Sequence, residues 1–338
     1  MLETFIAALP PLLSLFIFIA IGFTLAKTKI LPKHSEVVLA KLLTLVFCGA
    51  LNFSVMSKNF SITKLTYYAE TFIIGTIIVL LSMAIALIIV PLFIKDKNEY
   101  ARKVYTYALT FGNYGYVGVP IVLALFGESV LVFYNVFTIP ATVLIYTWGI
   151  NLLVPDTHRK GGFLEALKKF FNAPTICLFL GMISGLTGFG EILFNSSSLS
   201  FIGETVTTLA DCMAPTAMLV AGITVAKYDI PSMLLNKKVY VATFLRLIVL
   251  PAILTAITYF ALRILSGMGL YLNHSILYMV IFGYATPLGM NTIVFPEAFG
   301  GDASIGASMT LISHVLCVIT IPIMYALLFE ILGFPPTF

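Results

Sequence analysis

Two stretches of this chain carry residue types that belong together chemically. The first reads Gly112-Asn113-Tyr114-Gly115-Tyr116-Val117-Gly118-Val119-Pro120. The second reads Tyr284-Ala285-Thr286-Pro287-Leu288-Gly289-Met290-Asn291-Thr292-Ile293-Val294-Phe295-Pro296. Each interrupts an apolar run with glycine, proline and an asparagine, and each then reaches Phe-Gly, at Phe126-Gly127 and Phe299-Gly300. Glycine and proline weaken a helix and remove backbone hydrogen bonds. A helix broken there exposes an N-terminus with free N–H donors and a partial positive charge. Such an end suits an anionic group such as a carboxylate, and also a neutral hydrogen-bonding ligand. Asn113 and Asn291 would add carboxamides. Tyr114, Tyr116, Thr286 and Thr292 would add hydroxyls, while Gly115, Gly118, Gly289, Pro120, Pro287 and Pro296 would shape the breaks. These residues form the candidate substrate-binding set.

Asp211, Arg246 and His314 are ionisable residues inside apolar segments, where such residues are rare and functional by default. Asp211 or His314 could carry a coupling proton. Arg246 could face a substrate carboxylate or pair with Asp211. The plainer readings are a structural ion pair and a hydrogen-bonded packing histidine.

The elements that position these residues follow from composition. Of 338 residues, 60% are hydrophobic and 10% charged, and the mean hydropathy is +1.04. An ordinary soluble domain and a disordered chain are both excluded. With a net charge of +4 and no dense basic block, nucleic acid is not an expected partner. The expected class is an all-α polytopic membrane protein. Eight plain spans are expected, at roughly 5–26, 36–56, 67–94, 129–154, 173–190, 203–226, 239–265 and 303–331. The two interrupted segments, roughly 101–125 and 274–299, bring the number to ten.

Basic residues test that number. With both termini outside, the expected cytoplasmic loops hold Lys27, Lys29 and Lys33; Lys95, Lys97, Arg102 and Lys103; Arg159, Lys160, Lys168 and Lys169; and Lys227, Lys237 and Lys238. The opposite side holds only Lys58, Lys64 and Arg263, while Lys41 and Arg246 lie in spans. A cytoplasmic linker at 155–172 divides a first repeat, 1–154, from a second, 173–338. Five spans per half is an odd number, so the second half is inverted. Inverted repeats with broken helices in corresponding positions mark secondary transporters, with the site near the midplane where the two cross. The expected location is the cell membrane, plasma or inner, and no cleavable signal peptide is expected.

The four cysteines lie singly in apolar runs. No HExxH, P-loop, GxSxG or metal-spaced His/Cys cluster is found, so neither an enzyme nor a metal or cofactor site is expected, and transport would draw on gradients rather than ATP.

At these same residues the chain resembles the auxin efflux carrier family, including bacterial malonate and malate permease-like members and the plant PIN carriers. The resemblance rests on Asn113 to Pro120 after Thr110-Phe-Gly, on Asn135 in Phe133-Tyr-Asn, and on Ala214-Pro-Thr-Ala-Met218 with Gly222. It continues through Ala285-Thr-Pro-Leu-Gly-Met-Asn291 to Phe295-Pro296. It implies a fold like that of sodium/proton antiporters and bile-acid symporters. A scaffold of spans 1, 2, 6 and 7 would hold a transport unit of spans 3–5 and 8–10, which moves as an elevator. It implies homodimers, and a small organic anion (malonate, malate, lactate or an auxin-like acid) bound where spans four and nine cross, with proton or sodium as coupling ion. The short linker resembles the bacterial members. The competing reading is a membrane sensor that kept the fold and lost transport; an intramembrane enzyme is a third.

Overall fold

The structure is a computed structural model that describes residues 2–154, 170–196, 199–227, 231, 235–270, 273–298 and 301–332. Helix covers each of the ten apolar segments. In chain order the elements are α1 (Leu2–Lys27), α2 (Ser35–Asn59), α3 (Ile62–Ile94), α4 (Glu99–Thr110), α5 (Tyr114–Phe126) and α6 (Glu128–Leu153). After the linker come α7 (Ala173–Thr187), α8 (Phe189–Asn195), α9 (Ser200–Ala226), α10 (Lys237–Gly267), α11 (Ile276–Tyr284), α12 (Asn291–Ala298) and α13 (Ser304–Leu332). Most of the linker expected at 155–172 lies outside the described residues.

Helix starts follow local chemistry. Asn98, Asn172 and Asn236 each place a side-chain oxygen on a first-turn N–H, at the starts of α4, α7 and α10. Gly188, at φ 75, ends α7 in the left-handed conformation that glycine adopts without penalty.

Among the described residues, six rods, α2, α3, α6, α9, α10 and α13, are long and apolar enough to cross a membrane. A seventh is added if α7 and α8, bent by 94°, form one span. The Leu13–Lys27 part of α1 and α5 are shorter apolar helices. Length and composition thus support six or seven crossings, short of the ten expected. Two of the expected spans fall short because each is split into two half-length rods, α4 with α5 and α11 with α12.

The packing repeats between the halves. α1 lies along the C-terminal part of α9, and α7 lies along α2. The first helix of each half therefore packs on the second helix of the other. α3 packs on α6, and α10 on α13. Small residues let these backbones approach, as helix association in membranes requires. A Cβ at Gly222 would stand 2.0 Å from the Ile19 carbonyl oxygen, and one at Gly22 would stand 2.3 Å from that of Leu219. Gly222→Val should therefore separate α1 from α9. Overpacking of this kind costs about 1–3 kcal/mol, and a lowered melting temperature in detergent is the expected readout.

Charges sit at rod ends. Lys238 Nζ lies 2.8 Å from Asp96 Oδ2, joining the segment after α3 to the start of α10. The hydrogen bond from Lys238 holds the Asp96 carboxyl below its usual range. The bridge therefore contributes stability above the ordinary carboxylate range, which is lost only as pH falls through the depressed value.

Candidate functional site

The breaks between α4 and α5 and between α11 and α12 meet. Gly112 and Leu288 form an isolated antiparallel bridge, and the Asn113 N–H donates to the Pro287 carbonyl at 2.9 Å. Away from water, non-helical backbone must find such partners. The Leu288 N–H donates to Ser313 Oγ of α13 at 3.0 Å. Thr286 and Thr292 turn their hydroxyls back onto the carbonyls of Gly283 and Gly289, at 3.0 and 2.9 Å.

Asn113 starts α5. Its Oδ1 accepts from the Tyr116 N–H at 3.2 Å, and its carbonyl accepts from the N–H groups of Val117 and Gly118. The first turn of α5 is consequently a wide π-helical turn, Tyr114–Gly118. Asn113 is buried, yet its Nδ2 has no hydrogen-bond partner among the described residues. A buried donor without a partner costs free energy, so this group would gain from any acceptor brought to it.

The other ends of the same breaks face Arg246. This residue is fully buried on the π-helical turn Leu245–Val249 of α10. Its Nη1 donates to the Leu109 carbonyl at 2.9 Å, near the C-terminus of α4. Its Nε donates to the Thr286 carbonyl at 3.3 Å, and its Nη2 reaches Gly283 O and Thr286 Oγ1 at 3.5 Å, at the end of α11. The guanidinium also lies 5.6 Å from the Tyr284 ring centre. None of these partners is Asp211, which lies exposed at the end of the first part of α9. The sequence left pairing with Asp211 open. The structure gives Arg246 the carbonyls of two half-helix C-termini, which carry partial negative charge.

A cavity of about 220 Å³ opens beside the crossing. From the breaks it is lined by Gly112, Asn113, Tyr114, Gly115, Tyr116, Gly289, Met290 and Asn291. From other rods come Thr44, Cys48 and Asn52 of α2, Asn135, Thr138, Thr142 and Tyr146 of α6, and Asn172, Pro174 and Thr175 at the start of α7. Among the described residues, none that lines it is Asp, Glu, Lys, Arg or His. Carboxamides and hydroxyls supply the polarity. Tyr116 Oη lies 2.8 Å from Thr44 Oγ1, and Asn291 Nδ2 donates to Tyr107 Oη at 3.3 Å. Asn135 Nδ2 lies 3.5 Å from Asn52 Oδ1, and Asn52 Nδ2 donates to the Pro174 carbonyl at 3.1 Å. Among the described residues, no group of three or more His, Cys, Asp or Glu could hold a metal ion.

Of the candidate set, Asn113, Tyr114, Gly115, Tyr116, Gly289 and Asn291 line this cavity, while Gly118, Pro120, Thr286, Pro287, Thr292 and Pro296 do not. Gly118 packs so closely on Tyr134 that a Cβ there would stand 1.9 Å from the phenol oxygen. Pro287 contributes its carbonyl to Asn113, and Pro296 is buried within α12. His314 is buried on α13, with Nδ1 2.7 Å from the Thr310 carbonyl and Nε2 without a hydrogen-bond partner among the described residues.

Thr44, Thr138, Thr142, Tyr146, Asn172 and Thr175 were not singled out from the sequence. One signal was available for α6. Asn135, Thr138 and Thr142 recur at spacings of three and four, a polar stripe on one helix face. Nothing comparable marks Thr44 or Asn172, which reach the cavity only through tertiary packing.

A family model described as membrane transport protein matches residues 7–160 and 158–325. No curated protein matches the chain. The two matched stretches together span most of the sequence and meet inside the linker. The chain belongs to this membrane transport protein family, that of the auxin efflux carriers whose motifs its crossing resembles.

Proposed function

We propose that the protein is a secondary active carrier of small organic anions, mono- or dicarboxylates such as malonate, malate, lactate or auxin-like acids. The substrate binds in the cavity beside the crossing. The observation that carries this reading is Asn113. It starts α5 at the cavity wall and presents a buried amide nitrogen that no described group uses. A carboxylate there would meet that donor and the positive end of α5. Membership of a transporter family supports transport over sensing.

In this reading the chain crosses the bilayer ten times, as two inverted five-helix repeats with both termini outside. α4 with α5, and α11 with α12, each make one broken crossing. A scaffold of α1, α2 and α7–α9 holds a transport unit of α3–α6 and α10–α13, which moves as an elevator. The pairing of α1 with α9 and α7 with α2 supports the scaffold. The pairings of α3 with α6 and α10 with α13 support the transport unit.

The cavity runs along the middle of α2 from Thr44 to Asn52 and along α6 as far as Tyr146, and it reaches the start of α7 at Asn172, beside the linker that the basic residues place in the cytoplasm. This geometry fits the inward-facing state. At the opposite end, Lys58 Nζ of α2 lies 3.5 Å from Glu128 Oε1 of α6, and Asn59 Nδ2 donates to Glu128 Oε2 at 3.3 Å. Lys58 also lies over the Phe194 ring of α8, 4.8 Å from its centre. These contacts tie scaffold to transport unit and close the outer side. Glu128→Gln should weaken that closure. The pair is partly exposed, so the effect is under about 1 kcal/mol, a few-fold shift in population. Faster labelling from outside of a cysteine placed at Thr138 would report it.

Binding is tested by melting the detergent-solubilised protein with malonate, malate, lactate and indole-3-acetate. Saturable stabilisation by at least one, absent in Asn113→Asp, is expected. Equal stabilisation of both proteins would remove the cavity as the site.

A further inference from the structure

Among the described residues, the cavity that receives an anion carries no charged side chain, yet a full positive charge is built in one layer behind it. Gly112 lines the cavity, and on its other side a Cβ would stand 2.0 Å from Arg246 Nη2. Arg246 is fully buried and faces oxygen: the carbonyls of Leu109, Gly283 and Thr286 and the Thr286 hydroxyl, with the Tyr114 phenol beside them. Leu109 O belongs to the first half, and Gly283 O, Thr286 O and Thr286 Oγ1 to the second. Two half-helix C-termini converge on one point. Carbonyl oxygens that converge from unwound helices and half-helix ends are what a transporter uses to hold a metal cation. Here the point is filled by a side chain.

We propose that Arg246 is a fixed cation standing where a mobile monovalent cation would otherwise bind, so that the crossing is assembled and held positive without sodium. This deepens the carrier reading and rests on it for the anion. Of the two coupling ions, it removes sodium at the crossing and leaves the proton. Arg246 is a positioning residue, because it does not line the cavity and acts on it through Gly112, Tyr114 and the two helix ends. The guanidinium fork suits its task, since its separate N–H groups serve carbonyls from both halves at once.

The test is thermal melting of the full-length protein in lipid nanodiscs, with Arg246→Gln and Arg246→Lys beside the wild type. Each is measured in sodium chloride, in N-methylglucamine chloride of equal ionic strength, and with low guanidinium added. The wild type is expected to melt identically in sodium and N-methylglucamine. Arg246→Gln is expected to melt lower, and to be restored in a saturable way by sodium or guanidinium but not by N-methylglucamine. Arg246→Lys retains a fixed charge and is expected to melt between the two, without a cation response. A saturable sodium response in the wild type would overturn the proposal. So would an Arg246→Gln protein that responds to no cation, since a merely structural arginine predicts destabilisation without cation-selective rescue. Should Arg246→Gln fail to fold, the wild type and Arg246→Lys decide: a sodium response in either contradicts the proposal, and its absence in both is the predicted result. Melting needs no substrate. Cation-selective rescue with no anion uptake would therefore fail the carrier reading alone, and anion uptake that requires sodium would fail this inference alone.

Discussion

Asn113→Ala is expected to lower initial uptake of the transported anion at least tenfold while the protein remains folded and inserted. Two losses separate in this residue. The first is the cap on α5, where Oδ1 accepts from the Tyr116 N–H. Losing an N-cap costs about 1 kcal/mol. The backbone of Asn113 is still held by Pro287, Val117 and Gly118, so the break survives. The second is Nδ2, the donor left without a partner. A hydrogen bond to a charged group contributes about 1.5–3 kcal/mol, roughly ten- to a hundredfold in affinity. Asn113→Asp separates the two effects. Aspartate caps as well as asparagine, so the melting temperature should stay close to wild type. It places a negative charge where the proposed carrier would receive its anion, so uptake should fall at least as far as in the alanine variant. Initial rates in proteoliposomes, paired with melting curves, measure both.

Gly112→Ala is expected to do the opposite, removing the fold before the chemistry. The added methyl would stand 2.0 Å from Arg246 Nη2, 2.3 Å from Thr286 Oγ1 and 3.1 Å from the Gly283 carbonyl. All three belong to the crossing, and a fully buried arginine cannot step aside without abandoning carbonyls of both halves. The cost should exceed the roughly 1–3 kcal/mol of ordinary overpacking. A large drop in melting temperature or a loss of monodisperse protein is the expected outcome. Gly115→Ala is the matched control. Gly115 borders the same cavity, and a Cβ there meets nothing within 4 Å. Its melting temperature should be unchanged, while uptake changes because the methyl enters the cavity. Equal melting of the two variants would show that the crossing is not packed as described.

Much of this was legible before the fold was seen, for reasons that are physical. The helices were legible because apolar runs of bilayer length have few alternatives. The breaks were legible because Gly112 and Pro287 interrupt otherwise apolar runs. Their meeting was legible because the two interruptions occupy the same place in each half. The number of crossings was less secure, since a helix split at its middle leaves rods too short to qualify alone. Of the residues that line the cavity, those on the breaks themselves were legible, Asn113 and Gly115 among them. Those reached through packing were not: Thr44, Tyr146 and Asn172 look like ordinary polar residues of a rod or its cap. Arg246 was recognised as unusual, but a single sequence does not disclose that its partners are carbonyls. Those carbonyls belong to Leu109, Gly283 and Thr286, and backbone atoms carry no residue signature.

The measurement that tests the central claim most directly is uptake of radiolabelled malonate, malate, lactate and indole-3-acetate into proteoliposomes. Wild type is compared with Asn113→Asp, with and without an imposed pH gradient and an imposed sodium gradient. The account predicts gradient-dependent accumulation of at least one anion by the wild type and its loss in Asn113→Asp, at matched amounts of folded, inserted protein. Accumulation that is equal in the two proteins, or absent for every anion in vesicles holding folded wild type, would contradict it.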